Sequence, residues 1–247
     1  EIASCLVGSE MCIRDRVRTV LDGKYNYSYA DGDQHYQWSP DSKWFLAKYI
    51  AGGGWNNTDI VLVKADGSGE MTNLTESGYS DNNAKWVLDG KAMIWSSDRA
   101  GYRSHGSWGA QGDVYIMFFD GEAYDKFRLS KEEQALLDEE KQDQKSDTDK
   151  GKDKDTKKDK DKDKDKDKNK DKKEEPTVEP LKFDLANRKD RIMRLTVNSS
   201  FLGDAVLTPK GDKLYYCAAF ESGYDLWEHD FKENTTKPVS YTHLRAH

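Results

Sequence analysis

Apolar and polar positions along the chain follow one grammar of strand, turn, strand, loop and strand, and it occurs three times. The first copy runs from Trp38-Ser39-Pro40-Asp41-Ser42-Lys43 into Trp44-Phe45-Leu46-Ala47, through a loop at Gly52 to Thr58, and into Asp59-Ile60-Val61-Leu62-Val63. The second runs from Trp86-Val87-Leu88-Asp89-Gly90-Lys91 into Ala92-Met93-Ile94-Trp95, then a longer glycine-rich loop, then Asp113-Val114-Tyr115-Ile116-Met117. The third runs from Leu207-Thr208-Pro209-Lys210-Gly211-Asp212 into Lys213-Leu214-Tyr215-Tyr216, then Glu221-Ser222-Gly223-Tyr224, then Asp225-Leu226-Trp227. The apolar runs are rich in aromatic and β-branched residues and too short for helices, which predicts strands. Proline presets the backbone for a tight turn in the Pro-Asp-Ser and Pro-Lys-Gly steps, so each turn joins two antiparallel strands.

Asp66-Gly67 and Asp120-Gly121 follow the third strand of the first two copies and predict turns into a fourth, outer strand, such as Glu70 to Leu74. Four strands make a blade. The spacing from Trp38 to Trp86 is 48 residues, within the range of roughly 40 to 50 for four-stranded propeller blades. Val17 to Leu21 reads as the outer strand of a preceding blade and Tyr25 to Asp33 as a crossover. Arg191-Ile192-Met193-Arg194-Leu195-Thr196 reads as another outer strand, in competition with Phe127-Arg128-Leu129. Between them, Ser130-Lys131-Glu132-Glu133 forms a capping box that opens a short helix through Ala135, Leu136 and Leu137. The expected fold class is all-β: a partial β-propeller of four-stranded antiparallel blades with a disordered charged insert. Three blades and part of another do not close a ring, so the segment is expected to fold poorly alone.

Composition changes this picture in two places. Residues 131 to 175 are almost wholly charged and hold too little apolar surface to offset the entropy of ordering. Their sixteen lysines face eighteen acids, which makes a nearly neutral polyampholyte and not a basic arm for phosphates, so no nucleic-acid partner is expected. The ends are the second place. One set of codons for Val239 to His247 is the in-frame reverse complement of one set for Val7 to Asp15, the relation left by one DNA adapter at both ends of a fragment; the string resembles a transposon-type sequencing adapter. The expected organisation is 1–16 adapter-derived, 17–130 blades, 131–180 short helix and charged insert, 181–238 a further blade, and 239–247 adapter-derived. Leader, anchor and flanking domains then lie outside view, and both cytoplasmic and periplasmic locations stay open. No native run is long and apolar enough for a spanning helix, so no membrane contact is expected in the covered region. Cys5 and Cys12 fall in or beside the adapter stretch, leaving Cys217, which reads as an inert core thiol.

Four strings carry a family resemblance: the turn Trp38 to Lys43, Asn26-Tyr27-Ser28-Tyr29-Ala30-Asp31-Gly32-Asp33, Asn198-Ser199-Ser200-Phe201-Leu202-Gly203-Asp204-Ala205, and Phe220-Glu221-Ser222-Gly223-Tyr224-Asp225-Leu226-Trp227. Together they resemble the propeller region of tricorn-type serine proteases and their bacterial homologues, over most of Val17 to Pro238. The turn alone is shared with TolB-like and prolyl-oligopeptidase-type propellers. The resemblance implies a large peptidase in which propellers admit or filter peptides ahead of a PDZ-like module and a catalytic part. Peptide substrates of that parent enzyme are the implied partners, and a homo-oligomer is compatible with it. Its catalytic residues would lie downstream, so none is carried onto this chain.

A hydrolase site needs a nucleophile, a base and an oxyanion hole. Gly-x-Ser-x-Gly is absent from the native region, and His35, His105 and His229 have no partner at motif spacing. Asp31-Gly32-Asp33 reads as a tight turn, since it lacks the further ligands of a calcium loop. Gly52-Gly53-Gly54 lacks the Lys-Ser/Thr of a phosphate loop and reads as a hairpin tip. No cofactor and no metal ligand are expected. Trp38, Trp44, Trp86 and Trp95 sit at strand positions that blade packing explains. Trp55, His105 and Trp108, in glycine-rich loops, are the substrate-contact candidates. Asn56-Asn57-Thr58 and the similar patterns elsewhere are glycosylation acceptors only in a suitable compartment. A TolB-like binding or scaffolding propeller and a prolyl-oligopeptidase-type cap are the alternatives; the sequence downstream of Pro238 would separate them.

Overall fold

Each repeat folds into one four-stranded antiparallel sheet. The computed structural model describes residues 19–26, 34–52, 54, 56–104, 109–137, 139, 179–220 and 223–244. The first sheet contains β1 (Tyr36–Trp38), β2 (Trp44–Ile50), β3 (Thr58–Lys64) and β4 (Met71–Asn73). The second contains β5 (Asp81–Val87), β6 (Ala92–Ser97), β7 (Asp113–Phe118) and β8 (Ile192–Arg194), and the third β9 (Phe201–Leu207), β10 (Lys213–Ala219), β11 (Tyr224–Asp230) and β12 (Thr235–Leu244). Strand order within each sheet follows the chain, which is the meander of a propeller blade.

Alternation along the strands gives every sheet two faces, and the apolar faces meet. Leu46, Ile60 and Leu62 of the first blade pack with Met93, Trp95 and Met117 of the second. The opposite face of the second blade, with Ile94, Val114 and Ile116, packs on Leu207, Leu214 and Tyr216 of the third. Phe45, Tyr49, Val61 and Val63 on the remaining face of the first blade are covered by Val20, Leu21 and Tyr25. Thr19–Leu21 is therefore irregular chain laid over that face and not the outer strand expected there; Val17 and Arg18 lie outside the described residues. Trp38 shares this face with Phe45 and packs against its ring, remaining 55% exposed.

The expected competition for the second outer strand has one winner. β8 pairs with β7 through Tyr115↔Arg194, Ile116↔Met193 and Met117↔Ile192. Phe127 and Arg128 belong instead to helix α1 (Gly121–Arg128). Asp120 starts that helix by accepting the Glu122 amide on its carboxylate (2.9 Å), so Asp120-Gly121 caps a helix where the sequence predicts a strand turn. Ala123, Tyr124 and Phe127 recur on one helical face and cover Phe118 and Phe231.

The chain then divides. The unit Arg128–Glu179 holds the predicted capping box: the Glu133 amide donates to Ser130 Oγ (3.2 Å) and the Ser130 amide to Glu133 Oε2 (2.8 Å), and residues 131–137 are helical. The charged run beyond 140 and the crossover residues 27–33 lie outside the described residues. β12 runs past Pro238 to Leu244, and its pairing with β11 shifts register twice, around Leu226. Among the described residues, no helix is long and apolar enough to cross a membrane.

Candidate functional site

Because strands alternate in direction, the β2–β3 and β6–β7 loops share one end of the stack with the crossovers that lead into β5 and β9. The opposite end carries the tight turns. Loops at the first end are anchored by aspartates that the sequence analysis did not single out.

Asp59, near the start of β3, is buried and accepts from Thr75 Oγ1 (3.1 Å), Asn73 Nδ2 (2.8 Å) and the Ser77 amide (3.0 Å). Asp113, at the start of β7, accepts from Thr196 Oγ1 (2.7 Å), Ser199 Oγ (2.7 Å) and Arg194 Nη2 (2.7 Å). Both clasps have the same frame. Thr75 Oγ1 accepts the Ile60 amide as Thr196 Oγ1 accepts the Val114 amide, and the preceding Leu74 and Leu195 are both buried. Asn73-Leu74-Thr75 and Arg194-Leu195-Thr196 thus lock each outer strand to an aspartate one strand away. That recurrence was legible in the sequence.

Ser77 links the first clasp to the next blade by donating its hydroxyl to Asp81 Oδ2 (2.6 Å). Asp81 is fully buried and also receives Trp95 Nε1 (3.1 Å) and Arg99 Nη2 on both oxygens (3.1 and 3.2 Å). The Arg99 guanidinium lies 4.8 Å from the Tyr115 ring centre and 5.5 Å from that of Trp95, and its Nε donates to Ser97 Oγ. Burial, then the Asp113 carboxylate, pushes the Tyr115 phenol up from its ordinary value, against the opposing effect of Arg99.

The loop itself is built on Asp98, buried and holding the Ser80 amide (3.0 Å) and Arg103 Nε (3.0 Å). Arg103 stacks over Tyr79 at 5.0 Å and reaches Asn57 Oδ1 (3.5 Å), while Ser80 Oγ donates to the Asn56 carbonyl. The β2–β3 and β6–β7 loops are thereby tied together at their bases. Gly101 is required by close approach: a Cβ there would fall 2.1 Å from the Gln111 carbonyl oxygen. Tyr102, 67% exposed, projects from this base, and Ser104 Oγ is buried without a hydrogen-bond partner. Trp55, His105 and Trp108 lie outside the described residues, in these same two loops.

The inner strands carry a second polar group. Lys85 Nζ pairs with the Asp204 carboxylate and donates to the Ala205 carbonyl (2.9 Å), joining the second and third blades. Burial pushes Asp204 up, but the hydrogen bonds from Lys85 and the Ala205 amide outweigh it and leave the carboxyl below its ordinary value. A shallow cleft beside this pair is lined by Asn83, Ile94, Ser96, Leu202 and Asp204. Asn83 takes a left-handed φ of +54° at the bulge of β5.

His35 meets the Ala84 carbonyl through Nε2 (3.0 Å), and His229 Nδ1 faces Thr236 Oγ1 (2.7 Å), its pKa lowered by burial. Cys217 is half-buried on the face of the third blade that points away from the second. Among the described residues, no group of three or more His, Cys, Asp and Glu side chains is placed to hold a metal. The arrangement offers binding chemistry: aromatic faces and a guanidinium on a fixed polar base.

No family model and no curated protein matches the chain. Among solved structures it is similar to TolB from Acinetobacter baumannii, at 16% identity and a TM-score of 0.44 over 84% of this chain and 32% of that one. It is similar to a putative TolB from Agrobacterium tumefaciens at 14% identity and 0.43, over 84% and 49%, and to the tricorn protease at 10% and 0.49, over 83% and 18%. The chain spans between about a fifth and a half of the length of these proteins.

Proposed function

We propose that this chain is a non-catalytic propeller segment of a tricorn-like serine peptidase, and that its loop end admits or filters peptides for a catalytic part elsewhere. The residue strings that resemble tricorn-type propellers support the parent enzyme. One observation supports the role of the loop end: Tyr102 stands exposed on a base fixed by Asp81, Asp98 and Gly101, so contact groups are presented without an ordering cost at binding. Tyr and Arg are the side chains best suited to such contacts.

Reading the open reading frame of the source DNA beyond both ends, by a method that adds no adapter, tests the parent. A PDZ-like module and a serine nucleophile after Pro238 support the peptidase; closure of the frame after blades alone replaces it with a TolB-like binding propeller. An α/β-hydrolase domain with Gly-x-Ser-x-Gly would make it a prolyl-oligopeptidase-type cap. In the complete protein, Tyr102→Ala is expected to raise KM for peptide cleavage and leave kcat unchanged. Unaltered KM removes the loop end from substrate contact.

A further inference from the structure

The row of residues that crosses the middle of each sheet can be compared blade by blade. It reads Gln37, Leu46, Leu62, Thr72 in the first and Lys85, Ile94, Ile116, Met193 in the second. In the third it reads Val206, Tyr215, Glu228, Lys237. The second member is always the third residue of its blade's second strand, so the rows are equivalent. In the first two blades the row faces the following blade. Leu46, Leu62, Ile94 and Ile116 are at most 2% exposed and form the centres of the two inter-blade cores.

At the same two central places the third blade has a phenol and a carboxylate. Tyr215 Oη donates to Glu228 Oε2 (2.7 Å), and Lys213 Nζ (3.1 Å) and Lys237 Nζ (3.2 Å) both reach Oε1. The carboxylate is satisfied within its own sheet and lies beneath these groups, while the Lys237 side chain remains 65% exposed. A further sheet laid on this face would strip water from two ammonium groups and find no apolar pair at the centre of contact. Burial on those terms costs more than it returns unless every donor is met again.

We infer that the outward face of the third blade is a hydrated joint of the ring, where water and not another blade's apolar core covers the central row. The second and third blades are cemented by burial, whereas the third blade parts readily from whatever neighbours it on the other side. Lateral access to the inner strands would open there.

Cys217 reports on this face, because it pairs with Leu226 two residues along from the Tyr215–Glu228 pair, on the same side of the sheet. In the complete native protein, a chromogenic thiol reagent is expected to modify Cys217 at a rate within about a hundredfold of that in urea, with Cys217→Ser identifying its share of the signal. A rate slowed by more than about a hundredfold, and restored only by global unfolding, would mean that a packed sheet covers the row and would overturn the inference.

Discussion

The two ends of the blade stack are held by opposite chemistry. At the loop end, buried carboxylates are met by hydroxyls, amides and guanidinium groups, and Asp81 alone gathers Ser77, Trp95 and Arg99. At the turn end, Phe183 inserts its ring among Trp44, Trp86 and Phe119. Leu181 follows the same route, its amide on Asp41 Oδ2 (2.9 Å) and its side chain over Gly90, where any Cβ would collide at 2.7 Å. Directional bonds fix positions closely and fail sharply when one partner is lost; apolar contact is adaptable and fails gradually. Fixed loops suit recognition, and adaptable closure suits a place where the chain leaves the blades and returns.

Asp81→Ala should separate the two ends most strongly. It strands the Arg99 cation and the Trp95 N–H, so a loss of about 3 to 5 kcal/mol in unfolding free energy is expected by urea titration of the complete protein. Phe183→Ala, at the other end, should cost about 2 to 3 kcal/mol, since the ring is only partly buried and its neighbours can close in. If the aromatic change proves the costlier, the contrast between the ends is wrong. Ser130→Ala removes one capping bond and should lower local helix stability by about 1 kcal/mol or less, read by amide exchange at residues 131–137, with no change in the global midpoint.

The smallest effect concerns pH and the third blade. Hydrogen bonds from Tyr215 and Lys213, then Lys237, hold the Glu228 carboxyl down at about 2, against an ordinary 4.5. A carboxylate depressed in the folded state stabilises it fully above its unfolded value, and that contribution fades as pH falls through the folded one. Wild-type urea midpoints should therefore drop towards those of Glu228→Gln between about pH 4.5 and 2 and differ most above that window. The carboxylate is covered, but the lysine side chains that hold it are partly or largely exposed, so screening keeps the difference modest.

Blade count, strand positions and the capping box were legible in the sequence because each rests on local signals: proline turns, short apolar runs and a Ser–Glu spacing. A core place for Cys217 is not decided by its sequence, because alternation says which residues share a face, but not which face a neighbour covers. Helix α1 was missed for a related reason, since Asp120-Gly121 serves a strand turn or a helix start equally well, and the choice depends on Phe118 and Phe231 needing cover. Phe183 carries no local signal at all; its role exists only once Trp44 and Trp86 have been brought together. The aspartate clasps stood in plain view as a Leu-Thr repeated after the outer strands of the first two blades, but their meaning needs the third strand alongside. The three loop candidates fall beyond the described residues, so only the base beneath them can be compared with expectation.

The route by which the second blade acquires β8 sets a clock on its assembly. β7 ends at Phe118 and its partner begins at Ile192, 74 residues later by subtraction. At a synthesis rate of roughly 5 to 20 residues per second, β7 emerges roughly 4 to 15 s before the strand that covers its edge. For that interval the nascent second blade is a three-stranded sheet with a bare margin of backbone donors and acceptors, open to pairing with any other extended chain nearby. A long run of alternating lysine and aspartate is then the part of the polypeptide leaving the ribosome, and segments of that kind, hydrated and short of β-forming residues, are poor partners for such a margin.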